Sequence, residues 1–398
     1  MKRGNRARLL WIAAPVLIAL TACGHFWQAP SGGGGGGCTT NCTTLSSGVF
    51  YVLNQETNEV AALKITSGAL TTVGTYTLPT VGLLAMALAP NGNFLYVSTE
   101  GGGIYVYTVG SGGVLTIGNG GAALSADPAT TMQVDATNAW LVEGISGVAQ
   151  LNAIALNSTT GLLAASSEKE QVISLPAATV SQLAISPNDS TSCTDYYVFV
   201  AMGAGGTEEV HFSPGNANPF GGVGTTKVLN SGGAAKTVAV DPSNLLLYIG
   251  ETDALPSEAA SGGLRVFVIG ASSITENSGS PYSSGGTGPT AILPQTGYVY
   301  VANTAGATAS GNIASFTLTT GGTSTAPTYT FASLGTLSTG DYPVGMVIDS
   351  TSDFLLAVSE GGNPDLEAYT MSSGDLTTVL SVATGTDPVQ AIAIAAAP

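Results

Sequence analysis

Seven short strand-like runs recur along this chain at a nearly constant interval: Ala85–Pro90, Met132–Ala136, Leu183–Pro187, Val238–Pro242, Ala291–Gln295, Met346–Ser350 and Ile392–Ala395. Measured between their last residues, the intervals are 46, 51, 55, 53, 55 and 45 residues. Self-similarity at this period, in strand-sized pieces, predicts a β-propeller, in which each repeat is one small sheet that cannot bury its apolar faces alone. The periodicity constrains architecture and carries no chemistry.

Within each repeat the next piece is a β-branched or aromatic run: Val49–Leu53, Phe94–Ser98, Trp140–Val142, Tyr197–Ala201, Leu246–Ile249, Tyr298–Ala302 and Phe354–Val358. Alternating third runs follow most of them, clearest at Ile104–Val109, Leu264–Ile269, Ile313–Leu318 and Leu366–Met371. A weak fourth run completes the unit, and 54 glycines supply turns. No stretch after residue 48 keeps a helical apolar period for three turns, so no helix is expected. The chain starts on a second-type strand and finishes on a first-type strand. The expected fold is therefore an all-β, seven-bladed propeller of four-stranded antiparallel blades, its seam closed by the C-terminal strand.

The first 23 residues read as an export signal, with Lys2, Arg3, Arg6 and Arg8 ahead of the apolar run Leu9–Leu20. That run is too short to span a membrane. Leu20-Thr21-Ala22-Cys23 resembles a bacterial lipobox, which implies that Cys23 takes a lipid and becomes the mature N-terminus; an ordinary signal peptide with an incidental cysteine is the alternative. Gly24 in place of aspartate implies, by resemblance to bacterial sorting rules, the outer membrane. Residues 24–47, with six glycines at Gly32–Gly37, read as a tether, and residues 48–398 as the propeller.

After Cys23 stand all 25 acidic residues and only 5 basic ones, a formal charge of −20. Such a chain repels nucleic acid and anionic headgroups, so no nucleic-acid partner is expected and the membrane is reached through lipid on Cys23. Cys38, Cys42 and Cys193 remain, an odd number that leaves one unpaired. Cys38 and Cys42 can close a small loop, or either can reach Cys193. No second ligand pair accompanies them, so neither metal nor cofactor is expected.

Three second-strand segments, Tyr300-Val301-Ala302-Asn303, Tyr51-Val52-Leu53-Asn54 and Leu95-Tyr96-Val97-Ser98-Thr99-Glu100, together with the turns Ile185-Ser186-Pro187-Asn188 and Val240-Asp241-Pro242-Ser243, resemble the lactonase-like and YVTN-repeat seven-bladed propellers. The resemblance spans residues 48–398 and is specific for architecture. It implies a glutamate after the second strand, which Glu100 and Glu360 match, with Glu251 one residue early and Glu143 three. It also implies a histidine about six residues before the turn proline. Here that position is Lys236, and its counterparts are Leu84, Thr130, Ser181, Pro289, Val344 and Val389. Arg265 is the sole arginine after Cys23, so a phosphorylated lactone is a poor substrate.

Glu100, Glu360 and Lys236 are the candidate site residues. On a channel mouth a carboxylate can activate water and a lysine can stabilise an oxyanion; the plainer reading makes them solvated turn charges. Glu209 and His211 share one strand face by spacing, with a surface histidine the plainer reading. Glu251, Asp253 and Glu258 miss calcium-loop spacing. No Gly-x-Ser-x-Gly elbow is present, and the glycine runs lack the context of a phosphate loop. The expected function is an envelope propeller binding a ligand or protein partner on its acidic channel face. The alternatives are a hydrolase of unphosphorylated lactones and a structural module with no site.

Overall fold

Tyrosine, valine, phenylalanine and leucine dominate the middle of every repeat, and their branched or aromatic side chains suit a pleated surface that is buried on both sides. In the computed structural model each repeat is a four-stranded antiparallel sheet, joined in blade 5 by a short fifth strand, Tyr282–Ser283, and there are seven sheets. The structure describes residues 46–397 apart from 165–169, 188–195, 228, 256–261, 271–272, 305–309, 324–325, 362–363 and 383–390. The export signal, Cys23, the tether up to residue 45, Cys38, Cys42, Cys193, Asn188, Glu258 and Val389 lie outside the described residues.

Blades 2 to 7 are each contiguous in sequence. Their first, innermost strands are Leu83–Leu88, Thr131–Val134, Gln182–Ile185, Ala234–Val240, Gly288–Gln295 and Asp341–Ile348. Their second strands are Phe94–Thr99, Trp140–Gly144, Tyr197–Ala201, Leu246–Thr252, Tyr298–Thr304 and Phe354–Gly361. Blade 1 is the exception, with the order Ala391–Ala396, Phe50–Asn54, Glu59–Thr66, Ala69–Thr77. The last strand thus pairs with the first, Val52 opposite Ile394 and Leu53 opposite Ala393. Each first strand touches the next around a closed ring. Among the described residues the helical content is two single 3-10 turns, Ser111–Gly113 and Asn119–Gly121.

Seven apolar clusters sit between the blades, one per interface. Leu53 and Val60 of blade 1 meet Leu95 and Val97 of blade 2. Trp140 and Val142 of blade 3 meet Val198 and Val200 of blade 4. Phe50 and Val52 face Phe354 and Leu356 across the seam, so closure buries as good a core as any other interface. Burying a side chain of this size contributes about 1.5–3 kcal/mol.

Polar side chains stitch the same interfaces. An innermost strand has an edge facing the channel, and unpaired N–H groups there are costly unless satisfied. Thr131 Oγ1 accepts from Leu183 N at 3.2 Å, Gln133 Oε1 from Ile185 N at 2.9 Å, and Gln182 Oε1 from Val238 N at 2.9 Å, each reaching into the next blade. Farther out, the second-strand tyrosines Tyr51 and Tyr96 donate to Gly113 O at 3.1 Å and Gly161 O at 2.9 Å in the blades that follow. Burial, with Tyr76 nearby, raises the Tyr51 phenol to about 12, so it stays a donor at any physiological pH.

An aspartate closes the turn after the first strand in three blades. Asp241 accepts from Ser243 N at 3.0 Å and from Leu245 N and Leu246 N. Asp135 accepts from Thr137, Ala139 and Trp140, and Asp349 from Thr351, Phe354 and Gly48. In blade 4, Ser186 Oγ takes part of this role by accepting from Tyr197 N at 3.1 Å. Burial raises the Asp135 and Asp241 carboxyls above their ordinary range, against the pull of the N–H donors. A raised folded-state pKa means the folded chain holds the proton more tightly, so these turns lose stability as pH rises from about 3.9 through the raised value.

The closing strand is decisive for integrity. Deleting Ala391–Pro398 strips the first strand from blade 1 and opens its interfaces with blades 2 and 7. Denaturant unfolding of the truncated protein should lose its single cooperative transition or give aggregate, and a full-length melting profile would contradict the closure.

Candidate functional site

The face opposite the aspartate turns is built from the ends of second strands and the starts of first strands. Near its start the first strand carries one extra residue against its partner. In blade 2 this is Leu84, between the pairs Leu83–Thr99 and Ala85–Ser98. In blades 5, 6 and 7 it is Lys236, Thr290 and Val344. Ile392 takes the place in blade 1. Thr290 and Ile392 correct the expected Pro289 and Val389. Blade 6 turns through a two-residue hairpin, Gln295 opposite Tyr298, so counting back from Gln295 overshoots by one. In blade 1 a count from Ala395 falls short, because pairing continues through Ala396 opposite Phe50 and Ala397 N donating to Val49 O at 2.9 Å.

Lys236 thus stands on a bulge at the inner rim and is exposed. Glu100 and Glu360 directly follow Thr99 and Ser359, equivalent residues at the ends of their second strands, and both are exposed. The Glu100 amide is fixed by Gly82 O at 2.7 Å. The corresponding residues in blades 5 and 6 are Thr252, whose Oγ1 accepts from Ala234 N at 2.9 Å, and Thr304, whose Oγ1 donates to Gly288 O at 3.2 Å. The register therefore puts Glu100, Glu360 and Lys236 on one face, in blades 2, 7 and 5. It does not join them: among the described residues no ion pair or hydrogen bond engages their charged groups.

The residues one and three places earlier point elsewhere, as their offsets imply. Glu251 is fully buried. Its Oε2 takes the Arg265 Nε hydrogen bond, and its Oε1 accepts from Asn230 N at 2.8 Å. Arg265 also donates to Glu276 Oε1 at 2.8 Å and Asn230 Oδ1 at 3.0 Å. Burial pulls the guanidinium pKa down, but the hydrogen bond and charge of Glu251, with Glu276 beside it, outweigh this and raise it overall. The arginine that a phosphate ligand would need is thus spent inside blade 5. Glu143 is buried and accepts from Asn152 Nδ2 at 3.1 Å across its own hairpin.

Glu209 and His211 do share a face, 4.0 Å apart, with the imidazole against Tyr197 at a ring separation of 5.1 Å. Sequence reasoning missed their third member, Lys227, whose Nζ lies 3.0 Å from Glu209 Oε2. Lys227 comes from the link into blade 5, which carries no strand pattern, and its partner is set by a third-strand register. The scarcity of basic residues was the available signal, since a cation beside a buried strand rarely stays unpaired.

Lys227 also lines a cavity of about 510 Å³ between blades 4 and 5, with Thr226, Asn230, Ser231 and the backbones of Gly205, Gly206, Gly232 and Gly233. Gly206 and Gly232 hold φ of 84° and 87°, values that favour glycine and let the backbone itself form the wall. Gly203 exchanges two backbone hydrogen bonds with Ala235, at 3.0 and 2.9 Å, so Lys236 directly follows the residue that ties the rim of this cavity together.

This architecture has solved counterparts. A putative 6-phosphogluconolactonase from Bacteroides uniformis superposes with a TM-score of 0.65 at 14% identity, covering 87% of this chain and 98% of the other. A second from Bacteroides fragilis gives 0.65 at 13%, over 89% and 98%. A periplasmic gluconolactonase from Pseudomonas aeruginosa gives 0.63 at 16%, over 89% and 100%. The fold is that of the lactonase-like seven-bladed β-propellers. No protein-family model and no curated protein sequence matches the chain. At 13–16% identity the likeness is one of backbone course.

The buried ion pair and the rim charges should separate cleanly on mutation. Arg265→Met leaves Glu251 without its countercharge and should cost about 3–5 kcal/mol in urea unfolding. Glu100→Gln and Glu360→Gln, at exposed positions, should stay within about 0.5 kcal/mol of the parent. Equal losses in all three would contradict the assigned roles.

Proposed function

We propose that the propeller is a recognition module that binds a small, neutral, hydroxyl-rich ligand on the face carrying Glu100, Glu360 and Lys236. The observation that carries this is the division of labour among the charges: the arginine is locked in blade 5, while two carboxylates and one ammonium on this face are exposed and, among the described residues, unengaged. Carboxylates accept from hydroxyl groups, and an ammonium donates to a carbonyl or ring oxygen. With a formal charge of −20 around them, an anionic ligand is disfavoured. The cavity beside Ala235, walled by glycine backbone and hydroxyls with Lys227 held by Glu209, is within the range of about 300–1,000 Å³ usual for small-molecule sites.

Hydrolysis of an unphosphorylated lactone is the second reading, favoured by the names that the Bacteroides and Pseudomonas counterparts carry. It would use Glu100 or Glu360 to activate water and Lys236 to hold the developing oxyanion. No imidazole joins these groups among the described residues, because His211 lies on the third strand of blade 4.

Calorimetric titration with an unphosphorylated sugar lactone, alongside a pH-stat assay of its opening, decides between the readings. Recognition predicts saturable binding with no turnover above background, weakened about tenfold by Lys236→Met, the loss of one charge-assisted hydrogen bond. Turnover that falls by about 10²–10³ in Glu100→Gln, Glu360→Gln or Lys236→Met would make the protein a lactone hydrolase instead.

We further infer that lipid on Cys23 holds the propeller at the outer membrane. Cys23→Ser should move it from the membrane to the soluble fraction of the host, and an unchanged distribution would remove the lipid anchor.

A further inference from the structure

The first strand of blade 7 begins with a residue that the repeat does not explain. Tyr342 stands between the pairs Asp341–Gly361 and Pro343–Ser359, so it lies opposite Glu360 on the face that carries the rim charges. Its φ is 52°, in the left-handed region. Every other non-glycine residue with a positive φ among the described residues is an asparagine, an aspartate or a serine. Short polar side chains tolerate that region by bonding locally, and a bulky ring does not. Blades 2 and 6 fill the equivalent position with Gly82, whose φ is 81°, and Gly288. Backbone outliers of this kind cluster at ligand sites.

Burial does not offset the cost. Tyr342 is 43% exposed, and it is the only exposed aromatic among the described residues. Its ring passes beside Gly361, with Cδ2 3.9 Å from where a Cβ on that glycine would stand. The backbone is held on both sides: Asp341 pairs with Gly361, Pro343 pairs with Ser359, and Pro343 O accepts from Thr290 Oγ1 of blade 6. The rim glutamate is the neighbour in this register. In blade 2, Glu100 Cβ lies 3.0 Å from where a Cβ on Gly82 would stand, and the equivalent position in blade 7 sets Tyr342 beside Glu360.

We propose that Tyr342 is the stacking platform of this face and that the hydroxyl-rich ligand is a pyranose, one side of the sugar ring lying on the tyrosine while a hydroxyl at its edge donates to Glu360. A pyranose gathers axial C–H bonds on its faces and hydroxyls around its rim. The electron-rich face of an aromatic ring attracts such C–H groups, and a carboxylate accepts from hydroxyls. A protein interface fits less well, since its anchors sit in a packed apolar patch, and no second large apolar side chain is exposed in the described part of blade 7. Because the backbone around Tyr342 is already held, stacking orders little that was free before. The inference rests on the recognition reading of this face and names the class of ligand.

Calorimetric titration with the methyl pyranosides of glucose, galactose, mannose and xylose, and with sorbitol as a hydroxyl-rich compound lacking a ring, tests it. At least one pyranoside should bind and sorbitol should not. Tyr342→Phe should keep the affinity, and Tyr342→Gly should weaken it by about tenfold or more. The glycine variant should not lower the urea midpoint, because glycine suits the left-handed backbone. Tyr342→Asn, which also tolerates that conformation, should lose affinity in the same way. Pyranoside binding that both variants leave unchanged, or sorbitol binding as tight as a pyranoside, overturns the stacking role and leaves the recognition reading standing. An absence of pyranoside binding overturns the proposal alone if a sugar lactone or sorbitol still binds, and removes both readings if neither does.

Discussion

A single blade of this protein has two apolar faces and no interior, and that constraint governs everything else. Trp140 and Val142 lie beside Leu151 and Ala153 in blade 3, and Leu53 beside Val60 in blade 1, but nothing within a blade covers those faces. The next sheet covers them, so stability is a property of interfaces and accumulates around the ring. A linear stack would leave two apolar faces open at its ends. The chain avoids this by starting one strand out of phase, so that its final strand completes the sheet that its first residues begin. The polar bonds between blades follow the same logic. Thr131, Gln133 and Gln182 satisfy N–H groups on inner edges that a channel would otherwise leave bare, and Tyr51 and Tyr96 reach into the outer loops that follow.

Much of this is legible in sequence because it rests on local pattern. The starts of the second strands are read within one residue, since they combine β-branched or aromatic residues, while those of blades 5 and 7 run three residues past their expected ends. The seam is legible from phase alone. Reading fails where a turn departs from the repeat: blade 6 has no aspartate turn and closes in two residues, and blade 1 keeps pairing past Ala395, so counts anchored on Gln295 and Ala395 slip by one and three. First strands also start earlier than their apolar runs suggest, because bulge positions such as Lys236 and Thr290 interrupt the alternation.

The rim charges were legible as positions, and their partners were not. That Glu251 faces inward follows from an offset of one residue in a structure with a side-chain period of two. Its pairing with Arg265, Asn230 and Glu276 depends on three strands and a link that meet only in the folded blade. Lys227 is of the same kind. What results is a molecule with two unlike ends. One carries exposed charges and a cavity between blades 4 and 5. The other carries the aspartate turns of three blades and receives the incoming chain at Gly48.

The central claim is that the seam is as strong as any other interface. Native-state hydrogen exchange measures this directly, by comparing the most protected amides of Ala391–Ala396 with those of the uninterrupted inner strand Ala234–Val240. The account predicts that both exchange only through global opening, with the same free energy and the same denaturant dependence. Seam amides that exchange a hundredfold or more faster, through an opening that leaves the other blades protected, would show that the ring is held shut by something other than this strand.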